Sequence, residues 1–418
     1  SGSRTMRRWV LLLTVLFHLS LLFWFKYQDL WEYTKELYWY LRGTEYLPEL
    51  TERRAPLGIS FYTLMLIGYV ADIYMRKYRA ETSLSTFALY GSYFGHIVQG
   101  PIDAFDEVRA DMEGPGRPGV QDMESGALLM LYGLFKKLVI AERLAVPVNA
   151  VFSDPASYHW SVLLICAFGF TLQLYMDFSG CVDMVTGISR MFGIRLSQNF
   201  RQPFFSQSIA EFWRRWHMTL GAFFRKYVYI PLGGNRHGVL RKHLNTIVVF
   251  LLSGLWHGGN WTYIIGTGLL HCVYMILGQC LRPVNTAVLR LFHMDRDALP
   301  LRVLRSLWVF LLVTIGFVLF RSESVAMAMT YLGGMAGLQA GIYEAADLSV
   351  LGIGTPDILI ILAGLLTVFY VSLKRELGHP VCSSARRRDL IGVLIFTVIV
   401  LGFYGRGYDA SAFIYAAF

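Results

Sequence analysis

Eleven apolar stretches divide this chain, near residues 9–25, 57–75, 84–102, 125–147, 161–179, 245–256, 261–281, 306–320, 324–340, 357–373 and 390–404. A helix needs roughly 20 residues to cross ~30 Å of hydrocarbon, so the longer stretches read as spans and the shorter ones as re-entrant or broken helices. No strand-period alternation carries through several segments, which turns the reading away from a barrel. The expected fold class is all-α, a polytopic transmembrane helical bundle of about 9–11 membrane segments. Composition agrees: 55% of residues are hydrophobic and 16% charged, with a mean hydropathy of +0.45. A soluble domain would carry about 25% charged residues. No internal repeat or low-complexity linker interrupts the sequence, so residues 1–418 read as a single membrane domain, with the densest motifs in 199–271.

The formal net charge is +9, and its placement is informative. Between 195 and 242 stand nine basic residues, Arg195, Arg201, Arg214, Arg215, Arg225, Lys226, Arg236, Arg241 and Lys242, against Glu211 alone, a local excess of eight. Positive-inside topology is one reading, and a phosphate-bearing ligand arriving from the cytoplasm is the other. These charges lie among membrane segments rather than on a soluble domain, which argues against nucleic acid as a partner. The same rule places the amino end, with Arg4, Arg7 and Arg8, and the arginine-rich loop 282–305 in the cytoplasm. It places 26–54, the acidic segment 322–356 with Glu323, Glu344 and Asp347, and the tail GYDASAFIYAAF outside. The stretch 84–102, with Gly91, Gly95 and Gly100 closed by Pro101, suits a re-entrant hairpin. In 125–147, Lys136, Lys137, Glu142 and Arg143 interrupt the apolar run. Lys137 and Glu142 miss the i,i+4 spacing of a clean pair, so this helix is expected partly at the interface. The five cysteines form no CxxC and read as free thiols, with neither a disulfide framework nor a zinc site.

Polar groups at membrane depth are costly unless they serve a purpose. Residues 245–256 supply twelve positions before His257-Gly-Gly-Asn260, and 261–281 then leads back to Arg282. Counting ~1.5 Å per residue from Lys242 puts His257 about 22 Å along the helix axis, buried inside a broken hairpin. Gly258 and Gly259 would let a substrate or another backbone come close. His217 lies on SIAEFWRRWHMTL, where Ser208 and Glu211 have capping-box spacing and Trp213, Trp216 and His217 would share one helix face. Two histidines, each beside a tryptophan, are thereby expected to converge on one buried catalytic tunnel. Imidazole suits general-base work because its ordinary pKa, ~6.5, lies near physiological pH. His257 and His217 are the candidate catalytic residues, whereas His271 reads as structural. Arg214, Arg215 and Arg225 are candidates to hold phosphates; Trp213, Trp216, Trp256, Asn199, Asp177 and Tyr229 are the further substrate-binding candidates. Asp177 has a blander role available, as a helix-terminal cap or a partner for an arginine. There is no GxSxG elbow, HExxH or Walker loop. The pattern suits acyl transfer from a phosphate-bearing thioester carrier to a hydroxyl, with no metal and no tightly bound cofactor.

EFWRRWHMTLGAFFRKYVYIPLGGNR (211–236) and LSGLWHGGNWTYIIGTGLLH (252–271) closely resemble the membrane-bound O-acyltransferase family, and the PLGG form resembles its alginate O-acetyltransferase branch. PLGISFYT (56–63), HIVQGPI (96–102), GLFKKLVIAERL (133–144), YMDFSGCVDMVTGISRMFGI (175–194), QNFRQPF (198–204) and YDASAFIY (408–415) extend the resemblance over most of the chain. It implies that His257 matches the family's buried catalytic histidine and His217 the second histidine of this branch. It also implies acetyl transfer across the bacterial inner membrane, from acetyl-CoA or an acyl carrier protein to an extracytoplasmic polysaccharide, commonly through a partner acetyltransferase of the SGNH type. Family members usually carry further hydrophobic helices before the one that begins here at Trp9, so a shortened amino end is expected. Cys181 stands where an aromatic is common, and Gly221-Ala222 replaces a Ser-x-Trp pattern. Two alternatives stay open: D-alanyl transfer to teichoic acid from a carrier protein, and a transporter or flippase with the histidines as a proton relay.

Overall fold

The computed structural model describes residues 4–51, 55–114, 116–338, 351–383 and 386–404, and among them every regular element is helical. Glu344, Asp347 and the motif 408–415 lie outside the described residues. The chain opens with α1 (Arg4–Lys26), α2 (Leu30–Leu41) and α3 (Ile59–Tyr74), followed by the short α4 (Leu84–Ser92), α5 (Phe94–Ile97) and α6 (Phe105–Glu113). Then α7 (Val120–Leu134) runs through a π-helical stretch, Phe135–Ala141, into α8 (Glu142–Ser153), and α9 spans Trp160–Met191. The central region holds α10 (Ile209–Arg215), α11 (Met218–Phe224), α12 (Gly238–His257), α13 (Trp261–Tyr263) and, after a π-helical run at Ile264–Leu270, α14 (His271–Cys280). The remainder is α15 (Arg282–Leu291), α16 (Leu299–Arg321), α17 (Val325–Met335), α18 (Thr355–Glu376) and α19 (Arg387–Leu401).

Each of the eleven apolar stretches carries helix among its described residues. Five described helices are long and apolar enough to cross a membrane: Thr5–Lys26, Trp160–Met191, Trp261–Cys280, Leu299–Arg321 and Thr355–Glu376. The loops expected at 26–54 and 282–305 contain helices as well. In α15, Val284, Val288 and Leu291 recur at helical spacing on an element with no buried residue, the pattern of a helix lying flat in an interface. Within 84–102 the helix is interrupted, with Tyr93 extended between α4 and α5.

The core is centred on α9, whose packing against α7 rests on two glycine pairs. A Cβ on Gly133 would stand 2.4 Å from the Gly180 carbonyl oxygen, and one on Gly126 would stand 2.6 Å from that of Gly187. Seven residues separate the glycines on each helix, so two small-residue steps meet along one seam and the backbones touch. This close approach carries the next stretch inward. Every residue from Phe135 to Ala141 is buried, which corrects the interfacial expectation for this helix. Lys136 Nζ lies 2.6 Å from Asp183 and 2.8 Å from Ser179 Oγ. Lys137 Nζ lies 2.5 Å from Asp177 and 2.6 Å from Glu142. The sequence spacing ruled the last pair out. The π-helical turn, closing at i+5 rather than i+4, brings Glu142 back over Lys137. Asp177 thus sits in mid-helix and pairs with a lysine, where a helix-end cap or an arginine partner was expected.

Candidate active site

Helix α10 begins as the sequence suggests: Ser208 Oγ accepts from the Glu211 N–H at 3.2 Å, and Glu211 reaches back to the Gln207 N–H at 2.9 Å. The helix does not continue through His217. It ends at Arg215, Trp216 is extended, and His217 adopts left-handed dihedrals (φ 46°, ψ 52°) as the N-cap of α11. The shared helix face expected for Trp213, Trp216 and His217 therefore does not exist. A left-handed non-glycine residue costs about 1–2 kcal/mol and persists only where its surroundings fix it. They do so through residues 199–201, which run alongside the break. The Met218 N–H donates to the Asn199 carbonyl at 2.9 Å, and the Arg201 N–H donates to the Arg215 carbonyl at 2.9 Å.

The Asn199 side chain settles the state of the histidine. Its Oδ1 accepts from the Thr219 N–H (3.1 Å) and the Thr219 hydroxyl (2.9 Å), and lies 3.2 Å from His217 Nδ1. A backbone N–H only donates, so the atom facing it is the amide oxygen; that oxygen can only accept, so His217 carries its proton on Nδ1. In the neutral ring Nε2 is then a bare lone pair, on a side chain only 2% exposed and with no hydrogen-bond partner among the described residues.

His257 arrives from the opposite direction, as the last residue of α12. That helix starts at Gly238, earlier than its apolar stretch suggests, so the imidazole stands about 28 Å along the axis from the basic end. The two legs of the hairpin cross closely at Gly254, where a Cβ would lie 2.9 Å from the Ile264 Cα. Gly258 and Gly259 face Tyr263 and Leu30, so the close neighbour they admit is the chain itself. At the apex, Asn260 Nδ2 donates to the Glu323 carbonyl (2.7 Å) and the Trp261 indole donates to Thr34 (3.1 Å). Both imidazoles pack against the Trp256 indole, with ring centroids 5.7 Å from it for His217 and 5.0 Å for His257. Phe61 and Phe178 close the His217 side, and Phe320 the His257 side. A cavity of about 780 Å³ between α1, α3 and the α11–α12 region reaches Trp256; neither imidazole is among its lining residues.

The other expected site residues are dispersed. Trp216 packs in an aromatic cluster with Tyr175, Phe200, Phe212 and Phe317. The Trp213 indole donates to His271 Nδ1 at 3.0 Å, which gives His271 the structural place its sequence context indicated. Arg215 forms a fork on Glu376 (2.7 and 3.0 Å) and also holds Glu211 (2.7 Å), so both its terminal nitrogens are engaged within the protein, while Nε has no partner among the described residues. Arg214 and Arg225 are exposed. Tyr229 donates to Asn235 at the far end of α12 from His257. Three residues that sequence reasoning passed over touch the site: Lys26, Tyr27 and Ser60, whose bonds to 255–257 are described below. Lys26 ends an apolar block, which reads as a membrane anchor. No local signal marks it as a partner for residues about 230 positions away.

The profile of the membrane-bound O-acyltransferase family matches residues 7–321. The chain is 33% identical over 336 residues to "Probable alginate O-acetylase AlgI" of Azotobacter vinelandii, covering 80% of this chain and 64% of that protein. It is 34% identical over 358 residues to the peptidoglycan O-acetyltransferase of Helicobacter pylori, covering 79% of this chain and 65% of that protein. To the teichoic acid D-alanyltransferase of Bacillus subtilis it is 29% identical over 232 residues, covering 52% and 58%. The chain thus spans less than two thirds of the length of these relatives.

Proposed function

The chain belongs to the membrane-bound O-acyltransferase family, and from that premise we propose that it is an O-acetyltransferase of the bacterial inner membrane. It takes acetyl from a cytoplasmic thioester donor, acetyl-CoA or an acyl carrier protein, and delivers it to a hydroxyl of an extracytoplasmic polysaccharide, directly or through an SGNH-type partner. The observation that carries this reading is the pair of buried imidazoles around Trp256, with His217 Nε2 left as an unshared acceptor. Greater identity and coverage to the acetylases than to the D-alanyltransferase favours acetyl over D-alanyl as the group moved.

In this reading His257 is the general base. The hydroxyl oxygen attacks the thioester carbon as the imidazole takes its proton; the tetrahedral intermediate collapses, the C–S bond breaks, and the imidazolium returns the proton to the thiolate. The tautomer set by Asn199 fits His217 to orient a donor group by accepting its hydrogen bond, rather than to stabilise an oxyanion, which needs an N–H. Exposed Arg214 and Arg225 are the better phosphate candidates, since the Arg215 fork is occupied. The ~28 Å between the start of α12 and His257 calls for a donor that carries its thioester on a long arm while its charged end stays at the basic face. Incubating purified protein with labelled acetyl-CoA, with and without periplasmic extract, and identifying acetylated acceptors by mass spectrometry tests the proposal. Accumulation of substrate in vesicles without covalent transfer would overturn it in favour of transport.

A further inference from the structure

Helix α12 ends at the proposed base, and a helix leaves its last carbonyls without intrahelical partners. Here those carbonyls are bound from a distant part of the chain. The Tyr27 hydroxyl donates to the Leu255 carbonyl at 2.6 Å. Lys26 Nζ donates to the Trp256 carbonyl at 3.2 Å, the His257 carbonyl at 3.1 Å and Ser60 Oγ at 2.9 Å. An ammonium has three N–H donors, and these three acceptors use all of them. The ring closes through α3, where the Trp256 indole donates to the Ser60 carbonyl at 3.0 Å. A cation at a helix C-terminus also complements the negative end of the helix dipole. The clamp therefore acts on three consecutive residues, of which one is the base and another is the indole between the two imidazoles.

We propose that Lys26, assisted by Tyr27, is a positioning residue for His257. It fixes the last turn of α12 so that the imidazole and the Trp256 ring keep their orientation during transfer. This inference rests on the assignment of His257 as the base. A blander role is available, since the contact also ties α1, which is largely exposed along its length, to the bundle. The two roles differ in what they move: anchoring affects stability and yield, whereas positioning affects the chemical step.

The test compares Lys26→Met, Lys26→Arg, Tyr27→Phe and His257→Ala with wild type. Initial rates of acetyl transfer from labelled acetyl-CoA to alginate or peptidoglycan fragments, with periplasmic extract, are read beside the thermal midpoint. Positioning predicts that Lys26→Met loses tenfold or more in kcat with KM for acetyl-CoA within twofold, that Lys26→Arg recovers part of the loss, and that Lys26→Met adds nothing to His257→Ala. A Lys26→Met protein with wild-type kcat, a loss confined to KM or thermal midpoint, or an arginine variant no better than the methionine one would overturn it. Should Lys26→Met fail to accumulate, Tyr27→Phe reads the same clamp: a lower kcat at constant KM supports it, and an unchanged kcat refutes it. If His257→Ala itself transfers normally, the base assignment fails; if it is inactive while Lys26→Met is not, only the positioning role fails.

Discussion

Around Lys136 and Lys137 every buried charge faces an opposite one, whereas around His217 two buried polar atoms have no partner among the described residues. The first cluster joins the π-helical turn to α9, with Asp183 against Lys136, and Asp177 and Glu142 against Lys137. Such a network of ion pairs holds two helices in register. The second cluster uses comparable material, an amide, two imidazoles and an indole, but leaves His217 Nε2 and Asn199 Nδ2 without partners among the described residues. Buried polar atoms without partners are uncommon, and each asks for an explanation.

Substitutions in the two clusters should fail in different ways. His217→Ala should lower acetyl transfer on the order of a thousandfold while the protein still inserts and elutes as wild type; a drop in thermal midpoint that accounts for the loss would erase the contrast. Lys137→Met strands Asp177 as an uncompensated buried charge, at a cost of about 3–5 kcal/mol. Denaturant titration in detergent should show that loss, with the rate per folded molecule retained. Asn199→Ala frees the His217 tautomer, and about a tenfold fall in kcat is expected with a smaller change in stability. The smallest effects lie at the basic face. Arg225→Gln should raise KM for the donor about threefold, while Arg215→Gln should leave donor affinity unchanged and lower stability by about 1 kcal/mol, the scale of a partly exposed ion pair.

What the sequence disclosed follows from how far each signal reaches. Apolar stretches are local, and each of the eleven carries helix among its described residues. The Ser208 cap is three residues wide and was read correctly. The glycine seam was visible as two spacings of seven, at 126/133 and 180/187, but nothing in either helix says that they face each other. The break at His217 was hidden because Trp-x-x-Trp-His has helical spacing; what ends the helix is a chain segment centred on Asn199, 18 residues earlier. The Lys137–Glu142 pair was hidden for a related reason, since a π turn is imposed by packing and the residues in it are ordinary helix formers. Lys26 lay further still from anything local. In each case the missing information belonged to a tertiary neighbour, so it gathers at the site, where distant segments meet.

The central claim is that His217 and His257 form one reacting site around Trp256. A double-mutant cycle on acetyl transfer from labelled acetyl-CoA addresses it directly, using His217→Gln, His257→Gln and the pair, with residual rates measured above the uncatalysed background. One site predicts that the double variant is no slower than the worse single variant, because the groups act as a unit. Losses that multiply, or a single variant that transfers at the wild-type rate, would contradict it.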